Sequence, residues 1–117
     1  MKRTSYQTGL LAESLCRFAL RLKCYRIVAS RYKTPRGEID IIALRGNSVA
    51  MVEVKARGTE REAIESILPR QQERLHAAAL DFLARHPHFA NHDVRFDVML
   101  VAPRRWPVHI RDAWRPN

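Results

Sequence analysis

Leu11, Leu15, Phe18 and Leu22 recur at helical spacing through residues 8–23, which predicts an amphipathic helix with Thr8 as its N-cap. Residues 25–32 contain the β-prone run Arg26-Ile27-Val28-Ala29, and Pro35-Arg36-Gly37 then marks a turn. Residues 38–44 and 49–55 are both apolar and β-prone. Arg45-Gly46-Asn47-Ser48 between them has the chemistry of a hairpin turn. Thr59-Glu60-Arg61-Glu62 fits a capping box and predicts a short helix there. Pro69 either interrupts that helix or opens the next one. Residues 70–85 carry Leu75, Ala78, Ala79, Phe82 and Leu83 as an apolar stripe, and His86-Pro87-His88 ends this second long helix with both histidines in solvent. Val94, Phe96, Val98 and Leu100 alternate with Arg95, Asp97 and Met99 in a strand over residues 93–101, and Val108-His109-Ile110 reads as a last short strand. The order α-β-β-β-α-β-β implies an α/β fold, a mixed β-sheet flanked by helices, because the connection to the fourth strand carries a helical crossover.

The hairpin register places candidate chemistry. Centring the turn on Gly46-Asn47 sets Leu44 opposite Val49, Ile42 opposite Met51, Asp40 opposite Glu53 and Glu38 opposite Lys55. Side chains alternate with period two, so Glu38, Asp40, Glu53 and Lys55 share one face with Ile42, Leu44, Val49 and Met51. Ile39, Ile41, Val52 and Val54 then point to the other face and to the core. Like charges directly opposed across strands are destabilising. Two carboxylates about 5 Å apart repel by roughly 3 kcal/mol at an effective dielectric of 20. A divalent cation reverses that sign, and Mg²⁺ is commonly held by one or two carboxylates plus phosphate and water. The alternative for the same spacing is a solvated hairpin face with a Glu38–Lys55 ion pair. The apolar neighbours on that face argue against it, because buried acids need partners.

Composition adds charge to this picture. Hydrophobic residues make up 46% and charged residues 28% of 117, ordinary for one folded domain spanning 1–117. Lys and Arg total 21 against 12 acids, a net charge of +9, and 17 of the 21 are Arg. Arginine presents a planar fork that matches phosphate, so nucleic acid is the expected partner. Cys16 and Cys24 form no C-x-x-C, and Cys16 falls in the apolar helical stretch as a core thiol. Met1–Thr8 lacks the apolar region of a signal peptide, and no apolar run approaches membrane-spanning length; the expectation is a cytoplasmic protein with no membrane partner.

Gly37-Glu38-Ile39-Asp40-Ile41-Ile42-Ala43 followed by Val52-Glu53-Val54-Lys55 resembles the PD-(D/E)xK nuclease motif. More narrowly, these segments resemble the YraN-like family of small bacterial proteins assigned as endonucleases, related in fold to Holliday-junction resolvases. The likeness covers most of the chain: Ala12-Glu13 in the first helix, GEIDIIA, VEVKAR, a second helix and Arg95 to Val98. It implies a restriction-endonuclease-like core and hydrolysis of DNA phosphodiester bonds with Mg²⁺, or Mn²⁺, held by Asp40 and Glu53. It implies that Lys55 positions or activates the attacking water. Glu13 is a candidate third acid, although it lies opposite the leucine stripe and equally fits an i+4 pair with Arg17. Gln71 takes a second-helix position where relatives commonly carry Lys, with Arg70 or Gln72 as substitutes. Resolvases of related fold act as dimers, which leaves a homodimer open. The competing function is a nucleic-acid-binding module that keeps the nuclease fold without its activity. Asp97 reads as structural, paired with Arg95 or another arginine. Trp106 and Trp114, beside Arg104, Arg105, Arg111 and Arg115, read as satellite core contacts, with base stacking as the alternative.

Overall fold

A computed structural model of the chain describes residues 5–56 and 58–116, with side chains from residue 9 onward; Met1–Thr4 and the Arg57 of VEVKAR lie outside the described residues. The elements run α1 (Ser5–Leu22), β1 (Arg26–Lys33), β2 (Glu38–Arg45), β3 (Ser48–Lys55), α2 (Glu60–Glu65), α3 (Pro69–Arg85), a 3-10 turn (Pro87–Phe89), β4 (Asp93–Leu100) and β5 (Val108–Trp114). The strands form one mixed sheet in the order β1-β2-β3-β4-β5, antiparallel throughout except for the parallel β3–β4 pair. That pair is parallel because α2 and α3 carry the chain back across one face before β4 begins.

Helices cover both faces. Under α2 and α3 lie Ile42, Val49, Met51, Val98 and Leu100, packed on Leu75, Ala78, Ala79 and Phe82. Under α1 lie Ile41, Ala43, Ala50, Val52 and Met99, packed on Cys16, Ala19 and Leu20. The sheet centre is therefore buried on both sides, which accounts for its nearly continuous apolar runs.

Local signals fix several joints. Arg45 pairs with Ser48, so Gly46 and Asn47 alone make the β2–β3 turn, with Gly46 at φ 59°. Thr59 and Glu62 form the expected capping box at α2, and Pro69 opens α3.

Five expectations need correction. The helix α1 begins by Ser5, so Thr8 lies inside it rather than at its cap. Its leucine stripe is not the buried face: Leu11, Phe18 and Leu22 are exposed, while Ala12, Cys16, Ala19 and Leu20 meet the sheet. Small side chains let the helix axis approach the sheet closely, and the bulky residues are left outside. Ile39 joins the α3 side of the core rather than the face of Ile41. Strict alternation breaks at this point, where the β1 residue Arg31 adopts φ 52° between the pairs Ser30–Ile41 and Tyr32–Ile39. His86 is not a solvent residue either. Its ring stacks on Phe82 at 4.2 Å and its Nδ1 lies 2.8 Å from the Phe82 carbonyl. The strand β5 is also longer than expected, continuing past a positive φ at Asp112 to Trp114.

Candidate active site

The two strands of the hairpin separate where the acids begin. The ladder holds the expected register from Arg45–Ser48 through Ile41–Val52 and stops there. Asp40 is the next residue of β2, and its Oδ2 accepts the Val54 N–H at 2.8 Å. A side-chain carboxylate thus takes a donor that the ladder leaves over, which fixes Asp40 in the fork between β2 and β3. The start of β2 is itself held close beneath α3. A Cβ on Gly37 would stand 2.8 Å from the Arg74 carbonyl oxygen, so only glycine fits at the head of the GEID segment.

Glu53 is 8% exposed. Its Oε2 accepts a 3.0 Å hydrogen bond from Gln71 Nε2 on the first turns of α3. Burial pushes its carboxyl up to about 9, reinforced by a hydrogen bond with Asp40 and by that residue's charge, while Lys55 and Gln71 pull the other way. Asp40 and Glu53 therefore act on each other where Glu53 is largely removed from water, with the Glu53 carboxyl favoured in its neutral form. Lys55 lies close enough to act on Glu53. Among the described residues it makes no ion pair, with Glu38 or any other acid, so the solvated-face alternative does not describe this hairpin. It lines a cleft of about 350 Å³ with Gly58, Glu62, Ala63 and Ser66.

Glu13 reaches the same region from the opposite face. With α1 turned onto Ala12, Cys16 and Leu20, Glu13 points toward the sheet and not away from it. Its partner is Arg31, not Arg17: Arg31 Nε donates to Oε1 at 2.9 Å and Nη2 to Oε2 at 3.4 Å, while Arg17 bonds Ser14. The Cys16 thiol registers how near the acids are. Burial first, then the charges of Asp40 and Glu13, push it up to about 12. Cys16 is a core thiol with no thiolate character at neutral pH.

Gln71 is the α3 residue that meets the site. Arg70 is exposed and Gln72 is occupied by the Ile67 carbonyl. Among the described residues no three His, Cys, Asp or Glu side chains converge as a metal cage. Two neighbouring carboxylates, each spending one oxygen on a protein donor, fit a cation that completes its shell with water and phosphate.

A second buried acid has a different role. Asp97 is fully buried and takes two bonds from Arg95, one from His109 Nε2 at 2.7 Å and one from the Asp112 N–H. Burial alone would raise its carboxyl, but these donors outweigh it and hold Asp97 below the ordinary range. Arginine pairing was legible in the sequence; His109, which Lys23 meets at 2.7 Å, was not. The tryptophans divide. Trp114 is buried on Phe96 at 4.2 Å, whereas Trp106 is exposed.

The fold and site together define a small mixed α/β domain with an Asp–Glu pair and a lysine at a strand fork. A family model described as uncharacterised protein family UPF0102 matches residues 12–101, and the chain belongs to that family. It is 59% identical over 112 residues to a UPF0102 protein of Parvibaculum lavamentivorans, covering 96% of this chain and 84% of that one. A Chelativorans relative is 50% identical over 97% of this chain and 91% of its own, and one from Bradyrhizobium diazoefficiens is 49% identical over 94% and 83%.

Proposed function

We propose that this protein is a metal-dependent endonuclease of the PD-(D/E)xK type, hydrolysing phosphodiester bonds in DNA. The observation that carries the reading is the pairing of Asp40 with the buried Glu53, whose carboxyl is raised by burial first and then by the Asp40 hydrogen bond and charge, with Lys55 and Gln71 pulling the other way. Pairing of this kind costs stability unless a cation occupies it in the working state. Asp40 and Glu53 would hold Mg²⁺ or Mn²⁺, which when bound lowers the pKa of a water and offsets charge on the phosphate. Gln71 orients Glu53 from behind, leaving its second oxygen for the cation. The Lys55 ammonium stands beside the pair and, among the described residues, in no ion pair, suited to orient the attacking water or to meet charge developing on phosphate. The net charge of +9, carried mostly by 17 arginines, supplies the field that draws in a polyanion.

A specific observation favours the second reading, a nucleic-acid-binding module of the same fold. Glu13, the candidate third acid, is engaged by Arg31 rather than left for a metal. Cleavage of branched, duplex and single-stranded DNA with Mg²⁺ and with Mn²⁺, beside an Asp40→Ala control, separates the two. Metal-dependent cleavage that disappears in the variant supports the nuclease. Binding without cleavage on every substrate supports the module.

A further inference from the structure

Beside the carboxylate fork, α1 and the ends of β3 and β4 border an open groove of about 540 Å³, a size at which ordered sites take small ligands, roughly 300–1,000 Å³. Its floor is apolar, with Leu11, Leu15, Val101 and Trp106 among its lining, and among the described residues its charged lining is Arg104 and Arg105. Trp106 and Phe18 meet edge to face at 6.1 Å, yet 54% and 52% of their surfaces remain open. Together with the apolar floor this pair makes a contiguous exposed apolar patch, the kind that marks a binding groove. The groove borders the candidate active site through residues next to it in the chain and the sheet. Ala12 in its wall precedes Glu13, Ala56 follows Lys55, and the Val101 N–H donates to the Lys55 carbonyl at 2.8 Å.

We propose that this groove takes an unstacked nucleobase of a single-stranded segment next to the scissile phosphate, with Trp106 as the stacking face and Arg104 and Arg105 on the flanking phosphates. The inference rests on the nuclease reading for the position of that phosphate. A base is the occupant the chemistry selects, because it offers a flat apolar face bracketed by negative charge, and the groove offers an aromatic face bracketed by positive charge. A second copy of this chain fits less well. It would carry its own +9 charge against Arg104 and Arg105.

The test is binding of a fluorescein-labelled oligothymidylate of about 12 nucleotides, within the span of known single-strand sites, beside a base-free strand of equal length and charge. Both are measured by anisotropy with EDTA present, so no cleavage intervenes. The wild-type protein is expected to favour the strand with bases about tenfold, consistent with stacking of one base. Trp106→Ala abolishes that preference and leaves affinity for the base-free strand unchanged, Trp106→Phe keeps most of it, and Arg104→Ala with Arg105→Ala weakens both strands alike. Equal wild-type affinity for the two strands overturns the proposal, as does a preference that survives Trp106→Ala. Sedimentation in which Trp106→Ala turns a dimer into a monomer, with base preference intact, would assign the groove to a second copy instead. Base-blind binding with cleavage retained removes this inference alone, whereas base preference with no cleavage under any metal keeps the stacking groove and removes the nuclease reading, and with it the scissile phosphate beside the groove.

Discussion

Asp40 accepts the Val54 N–H at 2.8 Å at the point where the β2–β3 ladder ends, so one hydrogen bond both closes the fork between the strands and places a carboxylate against Glu53. The acids stand together because the sheet opens there. Their contact is a local cost built into the fold, and its removal has a measurable sign.

Glu53→Gln is expected to stabilise the metal-free protein. The Glu53 carboxyl is raised from 4.5 to about 9 by burial and by Asp40, so the folded state binds a proton that the unfolded state has released. Stability then falls as pH rises between those values. At pH 8 the glutamine variant should exceed wild type by about 1 kcal/mol or more, one pK unit being about 1.4 kcal/mol, and the difference should shrink toward pH 4. Urea unfolding at several pH values measures it; a variant less stable than wild type at pH 8 contradicts the assignment.

Gln71→Ala removes the donor that orients Glu53 and leaves both carboxylates in place. Loss of such a supporting bond typically costs about 10–100-fold in metal affinity. Calorimetric Mn²⁺ titration should find that loss with little change in thermal stability, whereas unchanged affinity would make Gln71 a bystander.

Asp97→Ala should act on stability and leave the active site alone. It strands Arg95 and His109 in the interior, and breaking a buried pair costs about 3–5 kcal/mol. Because donors hold the Asp97 carboxyl low, its stabilising contribution is full above the unfolded value and is lost as pH falls through the still lower folded value. Thermal denaturation from pH 7 down to pH 3 should show the wild type converging on the variant.

DNA affinity should fall steeply with salt, since arginine–phosphate contacts release counterions. Anisotropy between about 50 and 200 mM NaCl reads the slope, and a flat response would separate the +9 charge from DNA binding.

Much of this was legible in the sequence because it obeys short-range rules. A two-residue turn at Gly46-Asn47 sets the hairpin register, and period-two alternation then carries it to Ile41 and Val52. Thr59 and Glu62 define a cap by spacing alone. Gln71 came from the family resemblance rather than from spacing, and the structure puts it on Glu53. The failures lie where a tertiary contact overrides a periodic signal. Counting leucines selects the wrong face of α1, because close approach to the sheet favours Ala12, Cys16 and Ala19 over bulk. That rotation brings Glu13 inward, where helical spacing from the leucines pointed it outward and only the family resemblance kept it as a candidate. The positive φ values at Arg31 and Asp112 fall on residues that do not advertise them, so neither the turn of Ile39 to the other face nor the extension of β5 could be read in advance.

The most direct measurement of the central claim is Mn²⁺ or Mg²⁺ titration by calorimetry of wild type, Asp40→Ala, Glu53→Ala and Lys55→Ala, each paired with a cleavage assay. The account predicts that wild type binds the ion and cleaves, that each acid variant loses both while still binding DNA without metal, and that Lys55→Ala binds the ion but cleaves far more slowly. A wild type that binds no divalent ion even with DNA present, or cleavage that survives Asp40→Ala, contradicts it.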